Sequence, residues 1–213
     1  QRKYWPSIEY YQRASLAGGV GADYALYQQG CVLGLVSRPE KKIEVLSTLG
    51  ELYPTSVYRS NAYFEIAETY HFLDKLREAK EYYWKVVNEF ASSANAPSAL
   101  LQIGLVCYEE DDYDNAIKNL ERVVSEYAGT PSMHEALSAL ERVYQAKGDV
   151  KPYLSHLEKI GQSQRVSQGR RDSLYYTTAE AQYMGAQYSR AQVSFEEYLR
   201  EYPQGAGSLA ANF

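Results

Sequence analysis

The chain restates one pattern at a fixed interval. Gly30, Ala67 and Gly104 each sit midway along an apolar stretch and stand 37 residues apart (67 − 30 and 104 − 67). The same step lands on Glu141, and a further 38 residues lands on Ala179. Twelve residues beyond these lie Lys42, Ala79, Ala116, Tyr153 and Ala191. Leu46, Tyr83, Leu120, Leu157 and Phe195 follow four residues later, and Leu49, Val86, Val123, Ile160 and Tyr198 three later again. Spacings of four and three put an apolar stripe on one face of a helix. Most units close on a short phrase: Tyr53-Pro54-Thr55-Ser56, Phe90-Ala91-Ser92-Ser93, Tyr127-Ala128-Gly129-Thr130 and, after one skipped copy, Tyr202-Pro203-Gln204-Gly205. A period of this length means stacked supersecondary units, each touching its neighbours, rather than a chain folded around one catalytic pocket.

Within each unit the two helical stretches are separated by breakers: Ser37-Arg38-Pro39, Asp74, Asp111-Asp112 and Lys147-Gly148-Asp149. Ser and Asp cap helix starts, and Pro suits a first helical turn. The unit is therefore helix–turn–helix. It resembles the tetratricopeptide repeat, a helical pair of about 34 residues. The family's small residue in the first helix is matched by Gly30, Ala67, Gly104 and Ala179, while Glu141 departs. Its Ala in the second helix is matched by Ala79, Ala116 and Ala191, while Lys42 and Tyr153 depart. Leu49, Val86 and Val123 are larger than the family's usual residue, and its closing Pro is present only as Pro54 and Pro203. The resemblance covers essentially the whole chain. It implies an all-α, right-handed α-solenoid with a period of about 37 residues, and a role in binding other proteins.

The register divides the chain into a half repeat at 1–17, repeats at about 22–57, 58–94, 95–131, 132–168 and 169–205, and the start of a further repeat at 206–213. The sequence opens on Gln1, and Pro6 to Ala14 read like a second helix whose first helix is missing. At the other end Phe213 matches Phe64, inside the next first helix, so an internal segment of a longer repeat protein is expected.

With 213 residues, 45% of them hydrophobic, the chain has the material for a sizeable core. A net charge of −5 leaves no electrostatic footprint for nucleic acid. The basic group Arg165, Arg170 and Arg171 lies in the polar connection from Gly161 to Asp172 and is read as a solvated loop and helix start. No apolar run approaches the roughly 20 residues of a membrane span. His71, His134 and His156 fall in different repeats, and no zinc pair, nucleophile elbow or phosphate loop occurs, so neither catalysis, metal nor cofactor is expected. Gly18-Gly19-Val20-Gly21 follows a helix, not a strand, and reads as an inter-helix turn. The acidic run Glu109 to Asp114 lacks the Gly of a calcium loop and reads as a capped turn. Cys31 and Cys107 lie two repeats apart, about 20 Å at the spacing of packed helices, beyond disulfide reach.

In tetratricopeptide proteins one face of the first helix lines a concave groove. The resemblance places Tyr24, Tyr27, Cys31 and Gly34 on that face, then Asn61, Phe64, Glu68 and His71, then Ser98, Leu101, Leu105 and Tyr108. Glu135, Ser138, Arg142 and Gln145 follow, then Ser173, Tyr176, Glu180 and Tyr183. Of these, Tyr24, Tyr27, Asn61, Phe64, Glu68, His71, Leu101, Tyr108, Arg142, Tyr176, Glu180 and Tyr183 are the candidates for binding a protein or peptide partner. Tyr offers contact area at low entropy cost with a polar tip; the competing reading is that the rings fill a tight superhelix. Only Arg142 is basic, so the clamp with which some family members grip a terminal carboxylate is not evident. The Tyr-Pro-x-Ser repeat end, with Val-Val before it, resembles bacterial envelope repeat proteins. That resemblance implies a periplasmic, outer-membrane-associated scaffold, with a cytoplasmic setting as the alternative. Self-association through stacked repeat ends is the second function considered, and a non-catalytic part of a larger enzyme the third.

Overall fold

Apolar stripes separated by breakers fold into antiparallel helix pairs. The computed structural model describes residues 4–212; Gln1 to Lys3, and Phe213 with its match to Phe64, lie outside the described residues. Among the described residues all regular structure is helical. The first helices α2 (Ala22–Leu35), α4 (Arg59–Phe72) and α6 (Ala96–Glu109) begin 37 residues apart. So do the second helices α3 (Pro39–Leu52), α5 (Leu76–Glu89) and α7 (Tyr113–Glu126). α8 (Pro131–Lys147) with α9 (Lys151–Lys159), and α10 (Gln168–Met184) with α11 (Tyr188–Glu201), continue the alternation. α1 (Trp5–Ala17) packs on α2, and the short α12 (Ser208–Ala211) packs on α11. The second helices α3, α5 and α7 also pack on the first helix that follows them, so one core of an α-solenoid runs from Leu26 on α2 to Leu174 on α10, with a smaller cluster of Ile8, Leu33 and Val36 beneath α1.

The turn inside each pair has one recurring geometry. Ser37, Asp74, Asp111, Gly148 and Ala186 all hold left-handed backbone, with φ of 58, 57, 58, 82 and 57°. Each N–H returns to the carbonyl three residues back, and the next N–H to the carbonyl five back, as in Asp74 to His71 and Lys75 to Tyr70, both 2.9 Å. This closure satisfies helix-end carbonyls that would otherwise lack partners. Asp tolerates the left-handed region through its short polar side chain, and Gly through its missing Cβ. Ala186 has neither advantage.

Between pairs, the recurring phrase is a tight turn. The N–H of Ser56, Ser93, Thr130 and Gly205 donates to the carbonyl of Tyr53, Phe90, Tyr127 and Tyr202, at 3.0, 2.8, 3.3 and 2.9 Å. The leading ring tucks against the preceding first helix: Phe90 lies 6.0 Å from Tyr63, and Tyr202 lies 5.6 Å from Tyr175.

The small residues explain how closely paired helices approach. A Cβ added to Gly104 would lie 2.8 Å from both Cγ and Cδ2 of Leu120, and one on Gly30 would lie 2.4 Å from Leu46 Cδ2. Ala67, Ala79, Ala116, Ala179 and Ala191 are buried at the same junctions. Lys42 fits beside Gly34, where a Cβ would only just touch its stem at 3.4 Å, and its Nζ reaches Glu65 at 2.6 Å.

The fourth pair departs from this pattern for a visible reason. Its two small positions are Glu141 and Tyr153, and these meet: the Tyr153 hydroxyl donates to Glu141 Oε2 at 3.4 Å. Two large side chains stand where every other pair places at least one Gly or Ala, and α8 and α9 approach each other less closely than the other paired helices. α9 is also only 9 residues long, so Ile160 caps it instead of extending its stripe. A 3₁₀ turn, Ser163–Arg165, replaces the missing phrase, and the buried Val166 seals the core behind it.

Candidate functional site

A ladder of like residues ties the start of each of the first helices α2, α4 and α6 to the next first helix. Tyr24 and Tyr27 both meet Tyr58, with ring centroids 5.5 and 5.4 Å apart. Asn95 Nδ2 donates to Asn61 Oδ1 at 2.7 Å, and the hydroxyls of Ser98 and Ser132 lie 3.3 Å apart. Tyr meets Tyr, Asn meets Asn and Ser meets Ser, each across 34 residues. Sequence reasoning missed this ladder, although pairs of identical residues 34 apart were there to be seen.

Further along each helix, the groove residues lean on rings of the second helix. Phe64 packs edge-on to Tyr83 at 5.8 Å. Tyr83 is fully buried and donates to Glu68, and burial together with that carboxylate pushes its hydroxyl pKa up. His71 Nε2 lies 2.9 Å from Glu109. Tyr108 tilts over Tyr113 at 6.0 Å, and Tyr113 in turn donates to Asp111 at 2.9 Å. Tyr176 packs against Phe195 and Tyr198 and donates to Glu180 at 3.2 Å. Tyr183 meets Tyr188 at 5.5 Å. The rings are braced rather than free. Tyr24 and Tyr183 still expose 43% and 55% of their surface, whereas Phe64, Tyr27, Tyr108 and Tyr176 are half-buried. Leu101 is only 3% exposed and forms floor rather than rim. Arg142 is exposed, with no hydrogen bond or ion pair among the described residues.

Three hollows follow the helices. One of about 250 Å³ lies between the first two pairs, against Gly34, Lys42, Glu68 and Phe72. One of about 320 Å³ lies over Leu101 and Leu105, with Ser138, Arg142 and Arg165 at its sides. One of about 710 Å³ lies between α10, α11 and α12, against Tyr176, Tyr183, Tyr188 and Phe195. Among the described residues no three His, Cys, Asp or Glu side chains gather as a metal site. Both cysteines are free, and burial pushes both thiols up. The acidic run forms a capped turn: Asp112 accepts from the Asn115 backbone and amide at 3.3 and 2.7 Å, which lowers its carboxyl pKa. Among the described residues no helix is long and apolar enough to cross a membrane.

Stacked helical pairs define an α-solenoid, a class that presents extended concave surfaces to partners. Family profiles described as tetratricopeptide repeat match residues 98–130 and 172–205, and a second profile of the same description matches residues 60–88. Residues 60–88, 98–130 and 172–205 of the chain are thus tetratricopeptide repeats. Solved structures agree on the fold. MamA is 20% identical with a TM-score of 0.58, over 74% of this chain and 86% of that one. BtubC from P. vanneervenii is 10% identical with a TM-score of 0.59, over 93% and 88%. YrrB, described as a TPR protein with an unusual peptide-binding site, is 16% identical with a TM-score of 0.52, over 88% and 90%. No curated protein sequence matches the chain.

Proposed function

We propose that this chain is a non-catalytic scaffold that holds a peptide or protein partner in its concave groove. The observation that carries this reading is the set of braced, part-exposed rings and hollows along the first-helix face, from Tyr24 to Tyr183. A ring held in place by a second ring loses little freedom on binding, which favours it as an anchor. The peptide-binding site named for YrrB is in keeping with this reading. The interaction unit is the half repeat at 1–17 and the five repeats at about 22–57, 58–94, 95–131, 132–168 and 169–205. A periplasmic, outer-membrane-associated setting is part of the same proposal and rests on the repeat-end phrase.

The test starts from peptides selected out of a random display library on the immobilised chain. Their affinities are then measured by fluorescence anisotropy. The double variant Phe64→Ala with Tyr108→Ala should weaken binding by more than about 2 kcal/mol, as loss of aromatic anchors does. Ser138→Trp should block the groove without removing a packed ring. Peptides that bind both variants as tightly as the parent chain would rule the groove out.

A second reading is self-association. Met184, Tyr188 and Val193 are exposed on the last pair, and Tyr4 and Trp5 on the first helix. Sedimentation equilibrium checks this reading: a chain that stays monomeric at high concentration removes it.

A further inference from the structure

Five arginines of the described residues are held in ion pairs: Arg59 with Glu89, Arg122 with Glu126, Arg170 with Glu141, Arg171 with Glu158 and Arg200 with Glu197. The side chains of Arg142 on α8 and Arg165 on the 3₁₀ turn make no ion pair or hydrogen bond among the described residues, and both line the hollow of about 320 Å³. They reach it from separate elements, and Arg165 does so because the fourth pair ends in that turn instead of the usual phrase. The floor is Leu101 and Leu105, and the one carboxylate in the lining is Glu135. Glu141, the residue before Arg142 in the chain, is already held by Arg170 at 2.5 Å.

The hollow between the first two pairs is a useful contrast. Its Lys42 is neutralised by Glu65, and its Glu68 accepts from Tyr83. There the charges are satisfied within the chain. Over Leu101 they are not, and an arginine pair beside a leucine floor is free to take a carboxylate.

We propose that the hollow formed by Leu101, Leu105, Arg142 and Arg165 binds a protein segment in which an apolar side chain is flanked by an acidic one. The apolar group covers the leucine floor, and the neighbouring carboxylate takes the guanidinium groups. The volume sits at the lower end for ligand pockets, about 300 Å³, which suits side chains of an extended segment and not a whole helix. An acidic side chain, not a chain terminus, is the source of the carboxylate. This proposal rests on the groove reading above and names the chemistry of its occupant.

The probes are labelled nine-residue peptides with both ends capped, carrying a Leu-Glu-Leu-Glu centre. Controls replace Glu by Lys, or Leu by Ser, and one arm leaves the C-terminus free. Anisotropy titrations on the whole chain should show the Leu-Glu peptide binding, with affinity falling as salt rises. Arg142→Gln with Arg165→Gln should weaken it at least about tenfold, as loss of charged hydrogen bonds does. Arg142→Lys with Arg165→Lys should weaken it less. The Leu101 and Leu105 methyl resonances should shift on titration. Equal binding of the Lys peptide, full affinity in the double Gln variant, unmoved methyls or no binding at all would each overturn the proposal. Binding only by the free-acid arm would overturn it in favour of a chain terminus. If the acidic probe fails while display-selected peptides still depend on Phe64 and Tyr108, the groove reading stands and this one falls.

Discussion

Ala186→Gly should stabilise the chain. Ala186 holds φ 57° at the turn between α10 and α11, where the equivalent residue of the preceding pair is Gly148. A left-handed L-residue costs about 1–2 kcal/mol. Glycine removes that cost but loses about 0.5–1 kcal/mol through greater freedom when unfolded. Ala186 is exposed, so its methyl is not core, and both turn hydrogen bonds, 3.0 and 2.9 Å, remain available. The net gain is about 0.5–1 kcal/mol, or roughly 1–4 °C in Tm for a chain of this size. The reverse change, Gly148→Ala, should lose more. Its new Cβ would stand 2.6 Å from Gln182 Nε2, which donates to the Gly148 carbonyl at 2.8 Å. Left-handed strain of about 1–2 kcal/mol adds to about 1 kcal/mol for the disturbed hydrogen bond. Thermal melts followed by circular dichroism read both variants. Repeat arrays unfold in parts as well as whole, so exchange of the Gln187 amide gives a local check and should slow in Ala186→Gly. An unchanged or lower Tm with faster exchange at Gln187 would refute the argument that this residue is strained.

Ala116→Leu should overpack the junction of α6 and α7, where Ala116 is fully buried, and cost about 1–3 kcal/mol in a urea melt; an unchanged midpoint would mean the junction is loose. Asp112→Ala removes the α7 cap that accepts from the Asn115 N–H and should cost about 1 kcal/mol, most of it visible as faster exchange in the first turn of α7. Alkaline pH should unfold the chain steeply. Burial raises the hydroxyls of Tyr27, Tyr144, Tyr153, Tyr175 and Tyr198 to about 12, so the unfolded chain releases these protons first and stability falls between about pH 10 and 12. Tyrosinate absorbance and circular dichroism should change together there; tyrosines that titrate near pH 10 with helicity intact would contradict it.

The solenoid was legible because Gly30, Ala67 and Gly104 occupy the same junction and each unit reads on its own. The fourth pair was legible only as two separate departures. Glu141 and Tyr153 are unremarkable polar and aromatic residues until folding brings them face to face. The turns were visible where Ser, Asp or Gly marks them, and Ala186 was missed because alanine carries no breaker signal. The family resemblance supplied the first-helix stripe but could not show that Phe64 leans on Tyr83 or Tyr108 on Tyr113, since those contacts join different helices. Arg165 was read as solvated loop charge; the structure sets it beside Arg142 over a leucine floor, a meeting that depends on where the 3₁₀ turn returns the chain.

The central claim is that the first-helix face binds a partner. A photo-crosslinking residue placed at exposed Ser138, on that face of α8, tests it against one at exposed Lys118 on α7. In cells that make the protein, irradiation should yield a covalent adduct with another polypeptide from Ser138 and none from Lys118. Adducts from Lys118 with none from Ser138 would place the interaction on the outer face and contradict the account.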